Sequence, residues 1–175
     1  MRGIERLRSV ERSTEPLAHA LPELSKAETV LIRLIRIAAY GMGDYFLQVF
    51  RDLGLTEIPY HALCILVASK EGKASPSELS ELVGTSRANM TKAIALLEKE
   101  GYVRRQSGKT DGRRNLVIIT KQGKDTANRI TASIVEPIKN TFAHLTEDEM
   151  ATLDHLLRKC IVSFDEAKLT SGSIL

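Results

Sequence analysis

A chain of 175 residues, 43% hydrophobic and 27% charged, is long enough to bury a core of its own and too apolar to be disordered throughout. Its net charge of +3 gives only a slight bias toward an anionic partner, so the placement of charge matters more than its sum. No apolar run approaches the roughly 18 residues of a membrane span, and no leader core follows Arg2, Arg6, Arg8 and Arg12. Cys64 and Cys160 form neither a disulfide framework nor a metal-ligand spacing. The expectation is a cytoplasmic protein with two reduced, buried thiols.

Residues 1–25, with Pro16 and Pro22, are poorly periodic and read as an N-terminal arm, either disordered or carrying a short helix through Ile4 and Leu7. From Lys26 to about Leu53 the period becomes helical. Leu31, Leu34, Ile35, Ala38, Met42, Tyr45, Phe46 and Val49 form a stripe, with Arg33 and Arg36 opposite. Gly41 and Gly43 predict a kink or a close helix approach. Thr56 to Lys70 predicts a second helix with Pro59 in its first turn, buried through Ala62, Leu63, Ile65, Leu66 and Val67. Ser75-Pro76-Ser77-Glu78 is a capping box with proline at the first helical position. The short helix it opens carries Leu79, Leu82 and Val83 as its buried residues and stops at Gly84. Thr85-Ser86 then caps a longer helix from Arg87 to about Glu100, with Met90, Ala93, Ile94 and Leu97 inward.

Tyr102–Gln106 and Leu116–Thr120 read as two strands of a hairpin with a long basic tip, Ser107 to Asn115. A helix follows from Gly123 to about Leu145, with a bend or break expected at Pro137. Thr146 caps a last helix with Glu147, Asp148 and Glu149 in its first turn, running to about Ala167. The fold class is therefore mainly α with a small β-hairpin wing: a winged helix-turn-helix over 54–122, flanked by a helical region over 26–53 and 123–168.

In a helix-turn-helix the second helix lies in the major groove and offers its N-terminal residues to base edges. Here those are Thr85, Ser86, Arg87, Asn89, Thr91 and Lys92. Arg87 suits guanine and Asn89 adenine, and Thr85 or Ser86 with free backbone N–H groups suits a phosphate. Between Thr85 and Lys121 nine basic side chains face three acidic ones, twice the net charge of the whole chain. A positive region on a near-neutral protein is the footprint of a polyanion. Lys109, Asp111, Arg113 and Arg114 at the wing tip complete the candidate DNA-binding set.

The run Asp111-Gly112-Arg113-Arg114-Asn115-Leu116-Val117-Ile118-Ile119-Thr120-Lys121-Gln122-Gly123 resembles the wing of the MarR family of bacterial regulators. That pattern has Asp-x-Arg at the tip, a hydrophobic strand, then Thr-x-x-Gly opening a helix. Leu79 to Gly84 with Thr85-Ser86, Leu96 to Val103, and Leu53-Gly54-Leu55-Thr56 also match the family, so the resemblance covers about residues 28–165. It implies a homodimer built by interleaving the first helix with the last two, which assigns dimerisation to the helical region over 26–53 and 123–168. It also implies a pseudo-palindromic operator and a ligand-responsive repressor. It makes Arg113 the arginine that enters the minor groove and Asp111 its brace. An anionic or aromatic effector would lie between dimer helices and reading heads, with Tyr40, Asp44, Tyr45, Tyr60 and His61 as pocket candidates. The peroxide-sensing branch uses a cysteine near the start of the first long helix, unlike Cys64 or Cys160. The urate-responsive branch relies on a tryptophan, and this chain has none.

No cofactor is expected, and His19, His61, His144 and His155 lack metal-like spacing. No nucleophile–base pair or phosphate loop suggests an enzyme. The competing readings are a non-specific architectural DNA-binding protein and a winged-helix protein-interaction module.

Overall fold

The computed structural model describes residues 3–106 and 115–171. The chain divides into two compact units, Met1–Ile134 and Val135–Leu175. In order, the elements are α1 (Gly3–Ala20), α2 (Lys26–Arg51), α3 (Glu57–Ala68), β1 (Lys73–Ala74), α4 (Pro76–Val83), α5 (Arg87–Lys99), β2 (Val103–Gln106), β3 (Leu116–Ile119), α6 (Lys121–Thr141) and α7 (Glu147–Ser171).

The core of the first unit lies under α3, α4, α5 and the sheet. Leu63, Leu66, Leu79, Met90, Leu97, Val117 and Ile130 are its largest fully buried side chains. Each contributes roughly 1.5–3 kcal/mol of apolar transfer. Ser75 accepts from the Glu78 backbone N–H at 3.2 Å while the Glu78 carboxylate accepts from the Ser75 N–H at 2.7 Å, closing the expected capping box. Gly84 ends α4 at φ 71°, a left-handed conformation that turns the chain directly into α5. Met90, Ala93, Ile94 and Leu97 are buried along α5, as their spacing predicts.

The wing contains a strand that the sequence reading misses. The sheet order is β1-β3-β2, with Lys73 opposite Ile118 and Ala74 opposite Val117. Two residues have no period to read, so β1 is visible only through its pairing. Val103 opposite Ile119 and Gln106 opposite Leu116 set the hairpin register, and Val117 and Ile119 face the core.

Several boundaries and burials differ from expectation. Residues 3–20 form an 18-residue helix rather than a loose arm with a short helix. Its face toward α2 mixes Leu7, Val10, Leu17 and Ala18 with Arg6, Ser13 and Thr14, and only Val10 is buried, so the apolar stripe is short and easily passed over. Hydroxyls of Ser13 and Thr14 bond back to carbonyls one turn earlier. Helix α2 is uninterrupted at Gly41 and Gly43, and a Cβ added at either would meet nothing within 4 Å, so neither marks a close approach within the chain. Helix α6 starts at Lys121 and continues through Pro137 without a break. Val67 and Leu82, expected in the core, are 42% and 65% exposed, and Cys64 and Cys160 are half-buried rather than buried.

In the second unit, Thr146 and Glu149 form a reciprocal cap at the start of α7. The Thr146 backbone N–H, then its hydroxyl, hold the Glu149 carboxyl below the usual range. Among the described residues, no helix is long and apolar enough to cross a membrane.

Candidate nucleic-acid interface

The N-terminus of α5 is exposed while its opposite face is locked in the core. Ser86 caps it: the Ser86 hydroxyl accepts from the Asn89 backbone N–H at 3.2 Å. That arrangement holds Arg87, Asn89, Thr91 and Lys92 outward, all exposed, with Thr85 half-buried beside them. Thr91 donates its hydroxyl proton to the Arg87 carbonyl at 2.8 Å, leaving its methyl and an oxygen lone pair free of that bond. The Arg87 and Ala88 N–H groups precede the first intrahelical bond, Met90 N–H to Ser86 carbonyl, so the helix end offers donors to an anion. Ser86→Ala should lower stability by about 1 kcal/mol and loosen the donor array. Urea unfolding checks the first effect and DNA affinity the second.

Arg87 and Thr91 share an open hollow with Ser75, Pro76, Ser77, Glu78 and Asn115. Ser77 and Asn115, both exposed, are therefore further candidates. The sequence reading uses Ser77 only as part of a helix start and Asn115 only as loop. Arg105 pairs with Glu98 at 3.0 Å, both side chains roughly half exposed. Such a pair adds little stability, yet it neutralises one of the basic charges. Arg104 lies on the other strand face, exposed. Lys109, Asp111, Arg113 and Arg114 lie outside the described residues.

A family pattern described as MarR matches residues 53–114, from the end of α2 to the wing. The HTH-type transcriptional regulator PrsX of Escherichia coli is 27% identical over 139 residues, 79% of this chain and 84% of that protein. The transcriptional repressor MprA of Escherichia coli is 26% identical, covering 68% of each chain. The crystal structure of Sco3205, a MarR family transcriptional regulator from Streptomyces coelicolor, was solved in complex with DNA. It matches with a TM-score of 0.72 and 27% identity, covering 79% of this chain and 88% of that one. Over residues 53–114 this chain matches the MarR family pattern, and over most of its length it is similar to regulators of that family.

The mainly helical fold with a winged helix-turn-helix is the one the sequence predicts, with β1 added to the expected hairpin as a third strand. The five expected pocket residues, by contrast, are spread over different environments. Tyr40 is 56% exposed, with the Arg6 guanidinium 4.0 Å above its ring. Asp44 accepts from Gln48, and Tyr45 packs edge-on to Phe46 at 5.3 Å. Tyr60 is buried, 5.4 Å from the Phe50 ring, with its hydroxyl 2.9 Å from Thr131 on α6. His61 is exposed beside it. A hollow at the α2–α3 corner is lined by Phe46, Phe50, Leu55, Ile58 and Leu96 among others, and by none of the five. Among the described residues no three His, Cys, Asp or Glu side chains are grouped to hold a metal.

Burial, then the hydrogen bond with Cys64, raise the Tyr60 hydroxyl above its ordinary value of 10.0. A raised phenol favours the protonated form in the folded state, so its contribution is intact below pH 10 and falls as pH rises further. Urea midpoints for the native chain should therefore drop more steeply above pH 10 than those of Tyr60→Phe. Parallel curves would place the phenol in solvent.

Proposed function

We propose that this chain is a homodimeric, sequence-specific transcriptional repressor of the MarR family that binds a pseudo-palindromic DNA site and releases it when a small effector binds. The observation that carries the reading is the α5 end. Its exposed face presents Arg87, Asn89, Thr91 and Lys92, while four buried residues on the other face fix its orientation. A reading helix needs that rigidity, because a base contact is lost over a fraction of an ångström. Thr85 and Ser86 serve the phosphate beside the helix end. Lys109, Arg113 and Arg114 serve the backbone and minor groove, with Asp111 bracing the tip.

Two-fold assembly is supported by apolar surface that a single chain leaves open. On α7, Leu153, Leu156, Leu157, Ile161, Val162 and Phe164 are 36–60% exposed. On α2, Leu31, Ile32, Met42 and Leu47 are 48–60% exposed. Helix faces this apolar call for a partner, and a second copy would set two reading helices about 34–36 Å apart. Repression is supported by the likeness to MprA, a repressor. Tyr40, Asp44, Tyr45 and His61 are the residues offered to an effector, and Tyr60 supports their surroundings from the core. The protein works where its DNA is, in the cytoplasm.

The test is fluorescence anisotropy of the full chain with promoter-bearing and random duplexes across salt concentrations. Preference for particular fragments that survives at high salt is expected. Equal affinity for every duplex with a steep salt slope would establish an architectural binder instead. No binding at low salt would overturn DNA recognition altogether.

A further inference from the structure

Helices α1 and α2 run antiparallel, with Arg6 against Tyr40 and Ser13 against Arg33 at successive points along the pair. Between these contacts lies a cleft of about 290 Å³ lined by Arg6, Ser9, Val10, Arg33, Arg36 and Ile37. Three of the six are arginines and none is an acid. Of the α1 acids, Glu15 pairs with Lys26 and Glu11 lines a separate groove with Leu7 and Leu34, and Glu5 is not among the cleft's lining residues.

The arginines retain donors. Nε of Arg6 is enclosed and has no hydrogen-bond partner among the described residues. Leaving a charged donor in that state is costly, so the guanidinium gains from any acceptor that its other nitrogens can reach. Arg33 gives a nitrogen to Ser13 Oγ at 2.7 Å, which uses one of the five guanidinium N–H groups. Arg36 is exposed within the same cleft. Three like charges on neighbouring turns repel one another, and guanidinium forks match the paired oxygens of carboxylates and phosphates.

We propose that the α1–α2 cleft is a binding site for a small oxyanion of more than one negative charge. Arg6, Arg33 and Arg36 donate to its oxygens, and Val10 and Ile37 limit its size. None of the cleft's lining residues is a DNA-reading residue or an expected effector residue, although Arg6 stacks on Tyr40, so the site goes beyond the proposed function.

The test is titration calorimetry of the full chain without DNA, in low-ionic-strength chloride buffer, with citrate and inorganic phosphate as probes. One saturable site per chain is expected, weakened at least tenfold in Arg6→Gln and in Arg36→Gln and unchanged in Arg87→Ala. Tighter binding of citrate assigns the site to carboxylates, and of phosphate to phosphoryl groups. Thermal melts by circular dichroism establish that each variant is folded. Arg36→Gln alters an exposed helix position and keeps the test open should Arg6→Gln release α1. No saturable heat with either probe, undiminished binding in both cleft variants, or equal weakening in Arg87→Ala would overturn the site. Because DNA is absent from the titration, such a failure would leave the regulator reading untouched.

Discussion

Gly123→Ala should destabilise the first unit by about 3 kcal/mol, the upper part of the range for forcing extra atoms into a packed site. A Cβ at this position would stand 2.1 Å from the Tyr102 carbonyl oxygen and 3.0 Å from both the Tyr102 carbonyl carbon and Ile119 Cγ1. The obstacle is backbone and cannot swing aside. The Tyr102 oxygen already accepts from the Thr120 N–H at 3.0 Å and the Thr120 hydroxyl at 3.1 Å. Thr120 Oγ1 in turn accepts from the Gly123 N–H at 3.0 Å. Threonine and glycine three residues apart thus form one joint: the hydroxyl caps α6 while the missing side chain lets the helix start press on the end of α5 and the wing. Gly84→Ala is the control. Nothing lies within 4 Å of a Cβ there, so only its left-handed φ of 71° is penalised, at about 1–2 kcal/mol. Urea midpoints should rank the native chain above Gly84→Ala and that above Gly123→Ala. A Gly123→Ala midpoint equal to the native one would mean the joint is not packed as described.

The second large effect is on DNA. Arg87→Ala should lose about 1–3 kcal/mol per half-site, concentrated at one base position, because a guanidinium on guanine is replaced by nothing. In a two-fold complex the loss occurs twice. Arg113→Ala should weaken specific and random duplexes alike and flatten the salt dependence, since its proposed partner is the minor groove and backbone. Anisotropy titrations against a site and its single-base variants separate the two. Unchanged affinity in both variants would reject the docking geometry.

The reading head was legible because its rules are local. Ser75 and Glu78 must be three apart to cap each other, Gly84 must take positive φ, and Met90, Ala93, Ile94 and Leu97 must share one helix face. What escaped was structure carried by pairing or by polar contact. Lys73 and Ala74 are a strand only because Ile118 and Val117 lie opposite. Helix α1 meets α2 partly through the polar side chains of Arg6, Ser13 and Glu15, which dilute the apolar stripe of Leu7, Val10 and Leu17. Pro16 and Pro137 each remove one hydrogen bond from a helix that is otherwise complete, so neither breaks it. The pocket candidates are polar or aromatic residue types on the expected helices. Whether side chains share a cavity depends on rotation about each helix, which spacing alone does not give; hence Tyr60 faces the core while His61 faces solvent. Leu82 and Val67 show the converse, apolar residues placed in a core that their helices turn away from.

Selection of bound duplexes from a random pool, with the native chain and with Arg87→Ala, tests the central claim most directly. The account predicts an inverted repeat whose half-site centres lie about one helical turn apart, with preference relaxed at one symmetric position in the variant. Recovery of no common sequence, or of a lone half-site bound by one chain, would contradict it.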